Sequence, residues 1–178
     1  TAGIHRQKSS DGDTVCVSAS NTDSSPIRSR EFPRFDQLDT SDHLDDYLPD
    51  ADLVIGCLPR TPDTTGLMSR VRLALMKPDA LFVNVGRGNL VRSADLIDAL
   101  QEGALGGAIL DVFETEPLPE DSPLWNMENV MITPHISGPS FGGNQQVQDT
   151  IWEICMENME HFLNQEPLQH VVDLEAGY

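Results

Sequence analysis

Three short apolar runs, "DLVIGCLP" near Leu53, "LFVNV" at Leu81–Val85 and "NVMIT" near Val130, lack the alternation of a half-exposed strand. Runs of this length buried on both faces, separated by stretches with helical spacing, belong to parallel strands whose faces are covered by helices. The order is strand 53–58, helix Ser69–Met76, strand Leu81–Val85, helix Ser93–Glu102, strand Ala108–Asp111 and strand Val130–Thr133. This pattern predicts an α/β, Rossmann-like doubly wound sheet. A short helix over Ser41–Tyr47 precedes the first run, and a long amphipathic helix over Gln145–Leu163 follows the last. Ile151, Ile154, Cys155, Met159 and Phe162 recur on that helix at core spacing and are expected to be buried. From Gln7 to about Phe35 the chain is polar and Ser-rich, which reads as a long surface connection with one short strand at Val15–Val17.

The 178 residues suffice for one well-buried domain plus part of another. Residues 1–144 are expected to form a partial dinucleotide-binding domain, and residues 145–178 a C-terminal helix and tail. Because Thr1 stands where an initiator methionine belongs, the chain is expected to be the C-terminal part of a longer protein. Its 29 acids against 11 bases give a net charge of −18, which repels phosphate backbones and anionic lipid and sets nucleic acid and membranes aside as partners. The same acidity suits either a cytosol rich in salt or a merely acidic protein. No apolar run approaches the roughly 20 residues of a membrane helix. The three widely spaced cysteines, Cys16, Cys57 and Cys155, read as reduced, buried thiols of a cytoplasmic protein and offer no metal site.

Ligands of such sheets sit at the carboxyl ends of the strands. Leu58-Pro59, Gly86-Arg87-Gly88, Asp111-Val112-Phe113 and Pro134-His135 occupy those places, with Glu116 shortly after the third. Gly86 and Gly88 fill two positions of a G-x-G-x-x-G fingerprint, but Val91 fills the third, so a pyrophosphate cradle is a poor reading of this loop. Arginine offers a fixed fork for a carboxylate, and histidine passes protons near neutral pH when a carboxylate orients it. Together they suit reduction of an α-keto acid. Singly, each has an ordinary alternative: a surface arginine, a loop glutamate, a histidine satisfied by backbone. The acids of "FETEPLPED" lie in a Pro-rich turn with no sugar platform, which disfavours a glycosidase.

"LPRTPDTTGLMSRVRLALMKPDALFVNVGRGNLV", "GALGGAILDVFETEPLPEDSPLW" and "NVMITPHISG" resemble successive motifs of the D-isomer-specific 2-hydroxyacid dehydrogenases, closest to the glyoxylate/hydroxypyruvate reductase branch. The resemblance implies that Arg87 binds the substrate carboxylate and carbonyl, that His135 is the acid/base, and that Glu116 bonds His135 and keeps it protonated for reduction. It also implies that Asp111 receives the nicotinamide carboxamide. Leu58, Pro59, Thr64, Val85, Gly86 and Gly138 would contact the cofactor, together with Arg87 and His135. The first strand and the true fingerprint of that family are missing here. The family's second strand would end at "AGIHRQK", where His5, Arg6 and Lys8 suit a 2′-phosphate, so NADP(H) is favoured and NAD(H) remains open. A homodimer formed through the cofactor domain is implied as well. Relatives that act as corepressors keep the same three residues, so a non-catalytic nucleotide-binding or dimerisation module, or an inactive fragment, is the alternative.

Overall fold

The computed structural model describes residues 2–9, 12–19, 37–138 and 145–171. The chain divides into two units, Thr1–His135 and Ile136–Tyr178. The first unit is built on a seven-stranded sheet in the order β3-β1-β2-β4-β5-β6-β7. The strands are β1 (Ala2–Ser9), β2 (Gly12–Ala19), β3 (Gln37–Thr40), β4 (Leu53–Cys57), β5 (Leu81–Asn84), β6 (Gly107–Leu110) and β7 (Val130–Ile132). From β2 through β7 every pairing is parallel, whereas β1 runs antiparallel to both of its neighbours. The predicted Rossmann-like α/β architecture is therefore present, as a mostly parallel sheet with one reversed strand.

Burial explains the parallel part. Val54, Phe82, Ala108 and Leu110 have almost no exposed surface and form the core with Leu44, Leu48, Leu73 and Leu96. A side chain such as Phe82 contributes about 1.5–3 kcal/mol by leaving water. The helices are shorter than their sequence patterns suggest. Around α1 (Leu44–Tyr47), 3₁₀ turns extend the segment to Ser41–Asp50. Only Arg70–Leu73 form α2, with the Ser69 hydroxyl accepting the Arg72 N–H at its start. In α3 (Ser93–Gln101), Leu96, Ala99 and Leu100 face the core, and the Arg70 guanidinium of α2 donates across to Asp98 and Glu102 at α3.

The N-terminal segment corrects the sequence reading. Residues 2–9 and 12–19 pair as a hairpin, with Ala2 opposite Ala19 and Ser9 opposite Gly12, where a long connection with a three-residue strand was expected. Ile4 and Arg6, and Val15 and Val17, are buried in alternation, a period-two pattern diluted by Ser, Thr and Asp. That alternation of Ile4, Arg6, Val15 and Val17 was the available signal. Residues 20–36, the rest of the expected connection, lie outside the described residues.

The second unit holds α4 (Gln145–Leu163), over the expected range. Its expected core face is not covered: no residue of α4 is buried, and Met159 and Phe162 are 58% and 72% exposed. Cys57 and Cys155 are exposed, contrary to the buried thiols expected; the side chain of Cys16 is outside the description. Among the described residues no helix is long and apolar enough to cross a membrane.

Candidate active site

The loop after β5 is shaped from below by an amide. Asn84 is fully buried; its Nδ2 donates to the Arg87 carbonyl at 3.0 Å and its Oδ1 accepts the Gly86 N–H at 3.2 Å. A buried amide is costly unless both ends are paired, and here the pairing itself folds the loop. Arg87 stands at its crest, exposed, with one guanidinium nitrogen on the Gly86 carbonyl at 2.9 Å.

The two glycines are points of close backbone approach. A Cβ at Gly86 would lie 2.6 Å from the Leu58 nitrogen and oxygen, and one at Gly88 would fall inside the Phe113 carbonyl. Side-chain-free backbone at these two places joins the loops after β4, β5 and β6 into one surface.

On that surface Glu116 accepts the Phe113 N–H through one oxygen at 2.9 Å and bonds His135 Nδ1 through the other at 2.8 Å. The bond reserves Nε2 as the ring nitrogen for other work. His135 has φ +56°, a left-handed backbone that non-glycine residues seldom adopt and that recurs at functional positions. Burial pushes the Glu116 carboxyl upward, but the Phe113 N–H, the His135 bond and the charges of His135 and Arg87 outweigh it, and its pKa is held below the ordinary 4.5. A depressed carboxyl gives a contribution that is complete above the unfolded value and fades as pH falls through the lower folded value. The Glu116–His135 pair therefore weakens only as pH falls through a midpoint below the ordinary carboxyl value. A carboxyl-carbon NMR titration of Glu116 is expected to show its midpoint below 4.5; a midpoint at or above it would remove the pairing.

Arg87, Glu116 and His135, on three different loops, line one cavity of about 520 Å³. Arg60, Asn89, Phe113 and Glu114 line it too. Arg60 projects from a turn held by threonines: the Thr64 hydroxyl donates to the Pro59 carbonyl at 2.7 Å and accepts the Thr61 N–H at 2.9 Å. Glu114 accepts the Ser93 N–H at the start of α3, 2.9 Å away. Asn84, Arg60 and Glu114 were missed in the sequence. An amide in the middle of "LFVNV" and an arginine directly after "LP" were the signals available.

The remaining expected contacts are placed unevenly. Leu58, Pro59, Val85 and Gly86 lie at the ends of β4 and β5, where backbone is close-packed. Thr64 is buried and its hydroxyl is engaged within its own turn. Asp111, 1% exposed at the end of β6, accepts the Thr133 hydroxyl. Arg6 departs from the phosphate-binding role expected of it. It is 8% exposed, donates to Asp13 and Asp50, and lies 5.7 Å from the Tyr47 ring. Two carboxylates already satisfy the charge that a 2′-phosphate would need. The His5 side chain lies outside the description, and exposed Gly138 belongs to the second unit.

The family profile described as D-isomer specific 2-hydroxyacid dehydrogenase, NAD binding domain, matches residues 18–137. A glyoxylate reductase of Thermococcus onnurineus is 36% identical over 133 residues, which are 75% of this chain and 38% of that protein. The structure of a D-isomer specific 2-hydroxyacid dehydrogenase from Xanthobacter autotrophicus, in complex with NADPH and MES, matches with TM-score 0.69 and 40% identity over 78% of this chain and 55% of the other. An NADPH-dependent glyoxylate/hydroxypyruvate reductase from Sinorhizobium meliloti, in complex with NADP and sulfate, matches with TM-score 0.65 and 37% identity over 78% of this chain and 44% of the other. The chain spans less than half the length of the curated relatives it matches.

Proposed function

Since this chain belongs to the D-isomer-specific 2-hydroxyacid dehydrogenase family, we propose that it is the part of a reductase that carries the acid/base and the substrate arginine, converting a glyoxylate- or hydroxypyruvate-type 2-keto acid to a D-2-hydroxy acid. The observation that carries the reading is the Glu116–His135 bond of 2.8 Å beside Arg87 on one cavity. Arg87 grips the keto acid's carboxylate as a fork. His135, oriented through Nδ1 by Glu116, delivers a proton from Nε2 to the carbonyl oxygen and regains one from water. A bound nicotinamide supplies the hydride that the carbonyl carbon receives. Gly86, lacking a side chain, lets the loop that carries Arg87 close directly on the Leu58 backbone, and these adjoining strand ends would hold such a ring.

NADP(H) is favoured, with NAD(H) as the alternative. Support comes from the NADPH and NADP complexes of the two related structures rather than from Arg6. A cytoplasmic homodimer joined through the cofactor domain belongs to the same proposal.

Arg87→Lys in the complete protein is expected to be nearly as harmful as Arg87→Ala in kcat/KM, since a point charge lacks the two parallel bonds of a guanidinium. Losing a charged hydrogen bond costs about 1.5–3 kcal/mol, or roughly tenfold to a hundredfold. Hydroxypyruvate-dependent oxidation of NADPH measures it. Activity within about twofold of the parent in the lysine variant removes the bidentate role, and no oxidation by the parent leaves a non-catalytic nucleotide-binding module.

A further inference from the structure

In a chain with 29 acids and 11 bases, most cations have a carboxylate within reach, so those that stay unpaired beside a cavity bear on what the cavity takes. Arg6, Arg70, Arg72 and Lys77 each hold one or two acids. Arg60, Arg87 and Arg92 hold none among the described residues, and the first two line the same cavity as Glu114 and Glu116. Those two glutamates are engaged elsewhere, Glu114 on the Ser93 N–H and Glu116 on the Phe113 N–H and His135. Both guanidinium groups thus remain available to a ligand. The Arg60 backbone is also fixed on either side, by Pro59 and Thr61 in the threonine-braced turn, so the charge is presented by a preformed element.

We infer that Arg60 is a second oxyanion clamp, so that the cavity accepts two anionic groups at once. One is the keto acid's carboxylate at Arg87. The other, at Arg60, is either a second carboxylate, as in a dicarboxylic 2-keto acid, or a phosphate oxygen of the dinucleotide. This rests on the reductase reading for the role of Arg87 alone; the anion preference of Arg60 stands on its own placement.

The test compares the parent complete protein with Arg60→Gln, Arg60→Lys and, as a charge-matched control outside the cavity, Arg92→Gln. Oxaloacetate and glyoxylate are the substrates. If the second group is a carboxylate, Arg60→Gln lowers the ratio of kcat/KM for oxaloacetate over glyoxylate by about tenfold to a hundredfold, the size of one charged hydrogen bond. A phosphate instead raises the KM for NADPH by a similar factor with both substrates. Arg60→Lys keeps part of the effect in either case. Ratio and NADPH KM both within about twofold of the parent, as in Arg92→Gln, overturn the inference. Should the parent reduce neither acid, the reductase reading fails separately. Calorimetric titration with tartronate and with NADPH then decides on Arg60: weakened binding in Arg60→Gln supports the clamp, and unchanged binding of both ligands overturns it.

Discussion

Replacing His135 by alanine in the complete protein lowers turnover with a 2-keto acid by about 10²–10⁴, the usual contribution of a positioned acid/base, equal to about 2.7–5.5 kcal/mol of barrier. The KM for NADPH changes little, because the close-packed backbone around Leu58 and Gly86 is untouched. The ring is half-exposed, so the fold loses little with it. One confounding term is the left-handed backbone at this residue. Asparagine tolerates that conformation, and His135→Asn is expected to lose turnover to the same degree, which separates proton transfer from backbone strain. Steady-state rates near the parent's in both variants would take His135 out of the reaction.

Gly88→Ala is expected to have the largest effect on stability. The added methyl would overlap the Phe113 carbonyl and the Glu114 nitrogen, all backbone atoms that cannot rotate away. Relief requires the loops after β5 and β6 to part, which would disturb Arg87 and Glu116 together. Overpacking costs about 1–3 kcal/mol, and immovable backbone puts this site at or above the upper end. For a chain of this size that lowers Tm by about 6–12 °C. A melting curve displaced by less than about 2 °C would mean that the loops are not in contact as described.

The parallel half of the sheet was legible because β4, β5 and β7 each lie in a continuous apolar run, although burial falls off toward β7, where Met131 is 60% exposed. Strands β1 and β2 were not, because Ile4, Val15 and Val17 are separated by Ser, Thr, His and Asp, and one charged residue, Arg6, is itself buried. Its placement depends on Asp13 and Asp50, the second of them 44 positions away, which no local pattern reveals. The apolar spacing of α4 was correct as a helix signal and silent about what covers it. At the cavity, Arg87, Glu116 and His135 were legible from the ends of the strands and the ordered motifs. The supporting parts were not. Asn84 looks like one more member of an apolar run until its two bonds to the loop are seen, and Thr64, read as a ligand contact, is a brace for the turn that carries Arg60.

The meeting of the Leu58, Gly86–Gly88 and Phe113 backbones bears on how such a protein can be altered. Segments in van der Waals register at two side-chain-free positions are not interchangeable one by one. Transplanting the 86–88 segment from a relative with different neighbours would import a shape cut for another socket, and lengthening any one of the three would wedge the other two apart. Variation is thereby channelled to exposed positions on an unchanged chassis, so a library diversifying Arg60 samples chemistry, while one diversifying residues 86–88 samples mostly misfolding.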